Sequence, residues 1–368
     1  MKTGIDETRF GGSFFGLPAH EPAIRRMMRP MQKKSGSFIA LSIVRGRSST
    51  WLALLLSAFL LSFGPSVAAE LELGGAVSTH PDGRRPIQEL YRAYQTLLER
   101  GWKLDIVSQS QPEGRTDPLP IIALRTPQAG RAVWILSGIH GEEPAGPNAI
   151  AASIADIAAL GERRAVVLLP LNNPQGYAHN WRYLNMATYS ETVEGQSVGD
   201  SPHLLPDPEN PSQARSPTAS SPEAAAITDY ILRLVASYPP AVSIDLHEDN
   251  LISEGYVYSQ GVLGAADPLA LAAIRVLEEN GIPLKMSGET RFGEAISGGI
   301  IGPVVDSSID ELMSAESIIV DGQPRPGPET GTVLVFETPA DRVSLQKRID
   351  AHAALLRKLA RHLAEPGK

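Results

Sequence analysis

Apolar stretches of two kinds alternate along the chain after residue 85. Short, continuous runs such as RAVWILSG, AVSIDLH and TVLVFET are rich in β-branched residues and predict buried strands. Longer stretches with helical spacing lie between them, and one begins at a serine cap, Ser220 or Ser221. Such alternation is typical of a largely parallel sheet with helices on both faces, so it predicts one α/β domain. The predicted strands are residues 102–110, 120–126, 131–138, 164–171, 241–247 and 332–338, and the predicted helices are 86–101, 146–160, 221–238, 266–281 and 343–363.

The N-terminal part of the chain has the pattern of a secretory signal. Arg45 and Arg47 precede the apolar run WLALLLSAFLLSF, which is shorter than the roughly 20 residues that span a bilayer. Val67 and Ala69 then place small side chains at the spacing of a signal-peptidase site. This predicts cleavage after Ala69 and a secreted or periplasmic protein without a stable membrane span. The alternative is an uncleaved membrane anchor.

These signals divide the chain into three parts. Residues 1–69 are predicted to be an N-terminal extension and signal peptide, residues 70–85 a flexible start of the mature chain, and residues 86–365 the folded domain. Within the domain, residues 185–221 are rich in Pro, Ser and Asn and lack periodicity. A connection of this length predicts a functional loop or an excursion over the surface.

The composition excludes several kinds of chemistry, although it says little about the fold. The 368 residues are 42% apolar and 20% charged, with a formal net charge of -8 and a pI near 5.6. An acidic chain without a basic stripe is a poor partner for nucleic acid. Because the chain has no cysteine, disulfides and thiolate ligands are excluded, and any bound metal is held by nitrogen and oxygen.

Three predicted strands end in polar side chains, which are costly at the edge of a core unless they have partners. AVWILSG leads to His140 in the stretch SGIHGEEPAG, and Glu143 follows three residues later. AVSIDL leads to His247, and TVLVF leads to Glu337. Since ligand sites in open α/β sheets lie beyond the carboxyl ends of strands, these residues are candidates for one site.

Two imidazoles and a carboxylate form a donor set that suits one Zn²⁺ ion and leaves a position open for water. His140, Glu143 and His247 are the candidate ligands, and Glu337 is the candidate general base for that water. Asp245, two residues before His247, lies on the same side of a strand and is placed to orient the imidazole. A lone HxxE occurs by chance in many proteins, so the prediction depends on the coincidence of three strand ends.

GIHGEEPAG, SIDLH and VFETP together resemble the signatures of the zinc carboxypeptidase superfamily, which also contains the succinylglutamate desuccinylases and aspartoacylases. The resemblance runs in order over about residues 86–365. It implies a single-domain mixed, mostly parallel sheet of about eight strands with helices on both faces. It also implies one zinc ion held by His140, Glu143 and His247, with Glu337 as general base.

Three further residues are candidates for substrate binding. The segment NNPQGYAHNWRYLN is similar to the family's Asn-Pro-x-Gly segment, which implies roles for Asn173 and for Arg182. A guanidinium binds a carboxylate through two parallel hydrogen bonds, so Arg182 is the candidate for holding a substrate carboxylate. The alternative is a surface arginine paired with an acid. Tyr256, in SEGYVYSQ, is a candidate donor to an oxyanion, and the alternative is a tyrosine packed on the sheet.

The sequence departs from the family where a carboxypeptidase binds the substrate's terminal carboxylate. The family carries an Asn-Arg pair after the substrate-binding arginine, and residues 186–221 contain none. Glu142 stands before the candidate ligand Glu143, and two acids follow His247. These charges predict a negative site that suits a cationic or amine-bearing substrate, with Arg291 as a residue that can balance it.

The combined pattern predicts an exported zinc-dependent hydrolase that cleaves an amide bond. The favoured function is a metallocarboxypeptidase acting on short or peptidoglycan-derived peptides. Two alternatives stay open: an N-acyl amino acid deacylase that uses the same metal and base, and a binding protein of the same fold without activity. The predicted partner is a small peptide or acyl-amino acid substrate, and the sequence indicates no oligomeric state.

Overall fold

A ten-stranded mixed sheet forms the centre of the computed structural model, which describes residues 80–109, 119–184 and 199–363. These residues all belong to one compact unit, Ser66–Lys368. In chain order the strands are β1 Lys103–Ser108, β2 Ile121–Arg125, β3 Ala132–Ser137, β4 Ala165–Leu169, β5 Pro240–Asp249, β6 Tyr256–Ser259, β7 Ser287–Glu289, β8 Ala295–Ser297, β9 Ile300–Ile301, β10 Ser317–Val320, β11 Gln323–Pro326 and β12 Thr332–Pro339. The sheet order is β1-β2-β4-β3-β5-β12-β6-β9-β8-β7, and β10 pairs separately with β11.

The centre of the sheet is parallel, whereas most pairs towards its edges are antiparallel. Strands β4, β3, β5 and β12 are paired in parallel, and so are β6 and β9. The remaining pairs of the large sheet are antiparallel. The predicted α/β class is confirmed, but the mostly parallel character is limited to the centre. The prediction of about eight strands missed the edge, because β7, β8 and β9 have only two or three residues each and leave no hydrophobic pattern.

Helices cover both faces of the sheet, as predicted. In the described part of the chain they are α1 Ile87–Gln95, α2 Ala145–Ala152, α3 Ile154–Gly161, α4 Pro174–His179, α5 Pro222–Val235, α6 Pro268–Glu279, α7 Ile309–Ser314 and α8 Leu345–Leu363. Buried residues of α1, α2, α3, α6 and α8 share one core with the sheet. Residues of α5 and α7 contribute to a second core. Two cores form because alternate side chains of a strand point to opposite faces.

Side-chain caps mark where the longer helices begin. Ser221 accepts a hydrogen bond from the backbone N–H of Ala224 at 3.0 Å, and Pro222 follows it in the first turn of α5. Asp267 caps α6 by accepting from the backbone N–H of Leu269 at 2.7 Å. Each cap satisfies a donor that the helix itself leaves open and contributes about 1 kcal/mol.

The predicted signal peptide, residues 1–69, lies outside the described residues, and so do residues 70–79. Among the described residues, none of the helices combines the length and the apolar character needed to cross a bilayer. Export and cleavage near Ala69 therefore stay predictions.

The turn that follows β3 packs against α4 through two glycines. A Cβ on Gly141 would lie 2.1 Å from the carbonyl carbon of Gly176 and 2.4 Å from the backbone oxygen of Trp181. The N–H of Gly141 donates to that oxygen at 3.1 Å. From the other side, the buried Arg84 donates to the carbonyl of Gly141 at 2.9 Å. Arg84 belongs to the segment 70–85, whose flexibility stays a prediction.

Gly141→Ala should destabilise the protein, because the added methyl group meets backbone atoms that cannot move aside. We expect the free energy of unfolding to fall by about 1–3 kcal/mol in urea denaturation. Gly331→Ala is the matched control, since a Cβ there meets nothing within 4 Å. Equal stability of the two variants would contradict the close packing at Gly141.

Candidate metal centre

The parallel strands β3, β5 and β12 bring three polar strand ends to one edge of the sheet. Glu337 on β12 is the direct cross-strand neighbour of His247 on β5. Ser137, the last residue of β3, pairs with Leu246, and His140 follows three residues after Ser137. Strand register thus brings together residues that are far apart in the sequence.

His140, Glu143 and His247 offer ligand atoms close enough to share one ion. Nδ1 of His140 lies 2.7 Å from Oε1 of Glu143, and Nδ1 of His247 lies 3.0 Å from Oε2 of the same carboxylate. The three ligand atoms lie within 4.8 Å of one another. Two imidazole nitrogens and one carboxylate are the donors of a catalytic zinc site that keeps a position open. The side chains therefore fit a divalent ion of the zinc type.

The charge states of Glu143 and His140 suit a bound cation. Burial alone would raise the pKa of Glu143, but His140 and His247 hold it well below its usual range. Burial, together with the nearby Arg182, lowers the pKa of His140 to about 4. An ionised carboxylate and a neutral imidazole are the forms in which these side chains bind metal. Burial would lower the pKa of His247, but Asp245 and Glu143 hold it well above its usual range, so metal binding there has to displace a proton.

Glu337 lies beside the three ligands with one oxygen free. The residue is 8% exposed, it lines the same cavity as His140 and His247, and its Oε2 has no hydrogen-bond partner among the described residues. Burial raises the pKa of Glu337 well above its usual range, and the charge of Glu143 adds to the effect. A raised pKa makes a carboxylate a better proton acceptor.

Asp245 lies on the same face of β5 as His247, as the strand alternation predicts. Its Oδ2 is 3.4 Å from Nε2 of His247, and its Oδ1 accepts a hydrogen bond from the backbone N–H of Leu246 at 2.8 Å. It therefore faces the ring nitrogen that is turned away from Glu143. A carboxylate in this place favours one orientation of the imidazole.

The opposite face of β5 supports the carboxylate of Glu143. The backbone N–H of Glu248 donates to Oε2 of Glu143 at 3.1 Å, and the side chain of Glu248 accepts from the backbone N–H of Ala145 at 2.6 Å. Arg348 of α8 donates to the other oxygen of Glu248, and both residues are buried. The interpretation of Glu248 as added negative charge in the site is therefore wrong, because its charge is paired behind the sheet.

A cavity of about 1000 Å³ opens over the candidate centre and includes Arg182 in its lining. Nη1 of Arg182 donates to Oε1 of Glu142 at 2.9 Å and to Oε1 of Glu143 at 2.8 Å. The arginine side chain is 38% exposed. A guanidinium has more N–H donors than these two contacts use, so Arg182 borders the site with donors to offer.

Two predicted substrate residues have other partners. Asn173 caps α4 by accepting from the backbone N–H of Gly176 at 2.8 Å, and Tyr256 donates its hydroxyl to Asp249 at 2.7 Å. Neither Asn173 nor Tyr256 is among the described residues that line the cavity. Tyr258 does line it. Asn173 thus supports the helix that precedes Arg182, and direct substrate contact by Asn173 or Tyr256 stays a prediction.

Several acids of the cavity were missed by the sequence analysis. Asp200 lies in the connection before α5, Glu294 follows β7, and Asp306 and Asp310 lie before and within α7. None of them follows a predicted strand, and α7 has only six residues, too few for a helical hydrophobic period. The one available signal was the four-residue spacing of Asp306 and Asp310, which is weak by itself.

Solved structures share this fold. A protein assigned as a metallopeptidase from Shewanella amazonensis SB2B has a TM-score of 0.58 at 23% identity, covering 75% of this chain and 93% of that chain. A second from Shewanella baltica OS155 has a TM-score of 0.57 at 21% identity, covering 75% and 92%. This chain shares the fold of these two proteins. These structures show the shared fold alone, so the resemblance to the zinc carboxypeptidase superfamily stays a prediction from the sequence motifs.

Sequence comparison gives a more limited match. A protein from Trichophyton verrucosum (strain HKI 0517) named probable carboxypeptidase 2 is 28% identical over 159 residues, or 41% of this chain. The chain spans 25% of the length of that curated relative. No protein-family model matches the sequence. The comparisons therefore show the fold, and the geometry of the side chains adds a candidate metal centre.

Loss of one ligand side chain should remove the metal. After dialysis against zinc, the protein should contain one ion per chain, and Glu143→Ala or His247→Ala should bind zinc at least about tenfold more weakly. Mass spectrometry of the metal content measures both. His362→Ala, at the far end of α8, is the control. Full zinc content in the His247→Ala protein would contradict the site.

Arg348→Met should strongly destabilise the protein, because it leaves the buried carboxylate of Glu248 unpaired. Breaking one side of a buried ion pair costs about 3–5 kcal/mol, which denaturant unfolding would detect. In the double variant Glu248→Gln/Arg348→Met neither charge is present, so much of the loss should be recovered. A single variant as stable as the parent would show that the pair does not support Glu143.

Proposed function

We propose that this protein is an exported zinc-dependent hydrolase that cleaves amide bonds, acting as a metallocarboxypeptidase on short or peptidoglycan-derived peptides. The observation that carries the proposal is a single cavity at which His140, Glu143 and His247 gather beside the free carboxyl oxygen of Glu337. The fold shared with solved metallopeptidases supports the same class of chemistry.

Zinc is the proposed ion because nitrogen and carboxylate donors suit it and the chain offers no thiolate. When bound, the ion supplies a Lewis acid that polarises an amide carbonyl and lowers the pKa of water to about 7. His140, Glu143 and His247 would hold it, and Asp245 would orient the imidazole of His247.

Glu337 is the proposed proton carrier. Its ionised form would take a proton from the attacking water, and its protonated form would donate that proton to the leaving amine. Burial raises the pKa of Glu337, which makes its carboxylate a stronger proton acceptor than an exposed glutamate. Arg182 is proposed to hold a carboxylate or carbonyl oxygen of the substrate at the border of the cavity.

A deacylase acting on N-acyl amino acids is the second candidate. It is favoured by the lack of an Asn-Arg pair in residues 186–221, which leaves Arg182 as the proposed carboxylate-binding residue. Turnover of acyl-amino acids but not of peptides would select it. Zinc binding without turnover on a broad panel of amides would instead favour a binding protein.

Export is proposed from residues 45–69 of the sequence, where basic residues, an apolar run and small residues follow one another. A small soluble peptide or acyl-amino acid is the proposed substrate, and nucleic acid is not, because the chain is acidic. Expression in a bacterial host followed by N-terminal sequencing of the secreted chain would check the cleavage position.

Glu337→Gln should abolish most activity while zinc stays bound. Removal of a general base typically lowers kcat by about 10²–10⁴-fold, and the amide cannot accept the proton. Peptide hydrolysis and zinc content are measured on the same preparation. Glu289→Gln, on the exposed strand β7, is the control. Near-normal turnover by the zinc-loaded Glu337→Gln protein would refute the assignment of Glu337.

A further inference from the structure

The cavity of the candidate metal centre has more acid than the proposed chemistry uses. In the described part of the chain, seven carboxylate side chains line the cavity, against two arginines. Five of the seven have no role in the proposed reaction. Glu142 accepts a hydrogen bond from Arg182, and Glu294 accepts one from Tyr258. This leaves Asp200, Asp306 and Asp310. These three residues are called the acidic wall below.

Asp310 is the most deeply buried member of the acidic wall. The residue is 4% exposed, it lines the cavity, and its Oδ1 has no hydrogen-bond partner among the described residues. Asp310, Asp245 and His247 each offer an atom within 4.8 Å of the others. A buried carboxylate oxygen without a partner is costly, and a cation bound in the cavity would offset that cost.

The other two members, Asp200 and Asp306, line the same cavity but are less buried than Asp310. Burial raises the pKa of Asp200 to about 7, and Asp245 and Asp306 add to the effect. For Asp200, burial outweighs the stabilisation that His247 and Arg182 give to the ionised form. Asp306 is exposed, and it accepts a hydrogen bond from the backbone N–H of Ser308 at 2.9 Å.

No lysine or arginine among the described residues forms an ion pair with the acidic wall. Arg182 is held by Glu142 and Glu143. Arg291 lies over the ring of Phe292, at 4.8 Å from its centroid. The sequence between the cavity residues Tyr183 and Asp200 contains no lysine or arginine.

We propose that the acidic wall binds the ammonium or guanidinium group of a substrate side chain, so that the enzyme selects basic amino acid residues. This rests on the proposed hydrolase function and adds its substrate class. A cationic side chain would pair with the buried carboxylate of Asp310 and the half-buried carboxylate of Asp200, where charge pairs are stronger than in water. A second metal ion fits less well, because on Asp245, His247 and Asp310 it would share His247 with the first ion.

Binding without turnover tests the proposal directly. Zinc-loaded Glu337→Gln protein is titrated calorimetrically with Nα-acetyl-lysine and with Nα-acetyl-norleucine. The norleucine side chain has nearly the length of lysine but carries no charge. We expect lysine to bind at least about tenfold more tightly. Equal affinities, or tighter binding of norleucine, would overturn the proposal. If the wild-type protein hydrolyses no amide, the proposed function is wrong, and the binding comparison still tests the acidic wall.

Variants of the acidic wall locate the effect. In the same Glu337→Gln background, Asp310→Asn should reduce the preference for lysine by about tenfold or more, because it removes the carboxylate that would pair with the bound cation. Asp200→Asn provides a second variant if Asp310→Asn does not fold. Glu316→Gln, at an exposed position outside the cavity, is the matched control. An unchanged preference in both wall variants would overturn the proposal.

Metal stoichiometry distinguishes a cationic substrate group from a second metal ion at the acidic wall. The wild-type protein should bind one zinc ion per chain, and Asp310→Asn should bind the same number. A second ion that disappears in Asp310→Asn would overturn the proposal and identify the acidic wall as part of a two-metal site.

Discussion

The carboxylate of Glu143, held between two imidazoles, is the interaction on which the rest of the site depends. Its Oε1 contacts His140 and Arg182, and its Oε2 contacts His247 and the backbone N–H of Glu248. A buried carboxylate stays ionised only with such partners. The ionised carboxylate can then coordinate a metal ion in place of some of these contacts.

One face of the central strands carries the residues of the candidate site, and the other face carries residues that pack against the helices. On β5, Asp245 and His247 face the cavity, whereas Glu248 faces α8 and pairs with Arg348. The same alternation on β12 places Glu337 in the cavity and Thr338 against His352 of α8, 3.0 Å away. A shift of one residue in register would move each of these side chains to the opposite face. The register that buries the core is therefore also the register that assembles the site.

The parts of the fold that follow a regular period could be predicted from the sequence. The central strands, the long helices and the start of α5 at Ser221 all follow this rule. The strand ends at His140, His247 and Glu337 were found because polar groups follow apolar runs. Short edge strands and α7 could not be found, since a few residues carry no period. The pairing of Glu248 with Arg348, 100 positions away, depends on tertiary contacts that no local pattern contains.

Diffraction from zinc-loaded crystals, recorded on both sides of the zinc absorption edge, tests the central claim most directly. The account predicts one anomalous peak per chain, at about 2.0–2.2 Å from a nitrogen of His140, a nitrogen of His247 and a carboxylate oxygen of Glu143. A peak bound only by Asp245 and Asp310, or no peak beside Glu143, would contradict it.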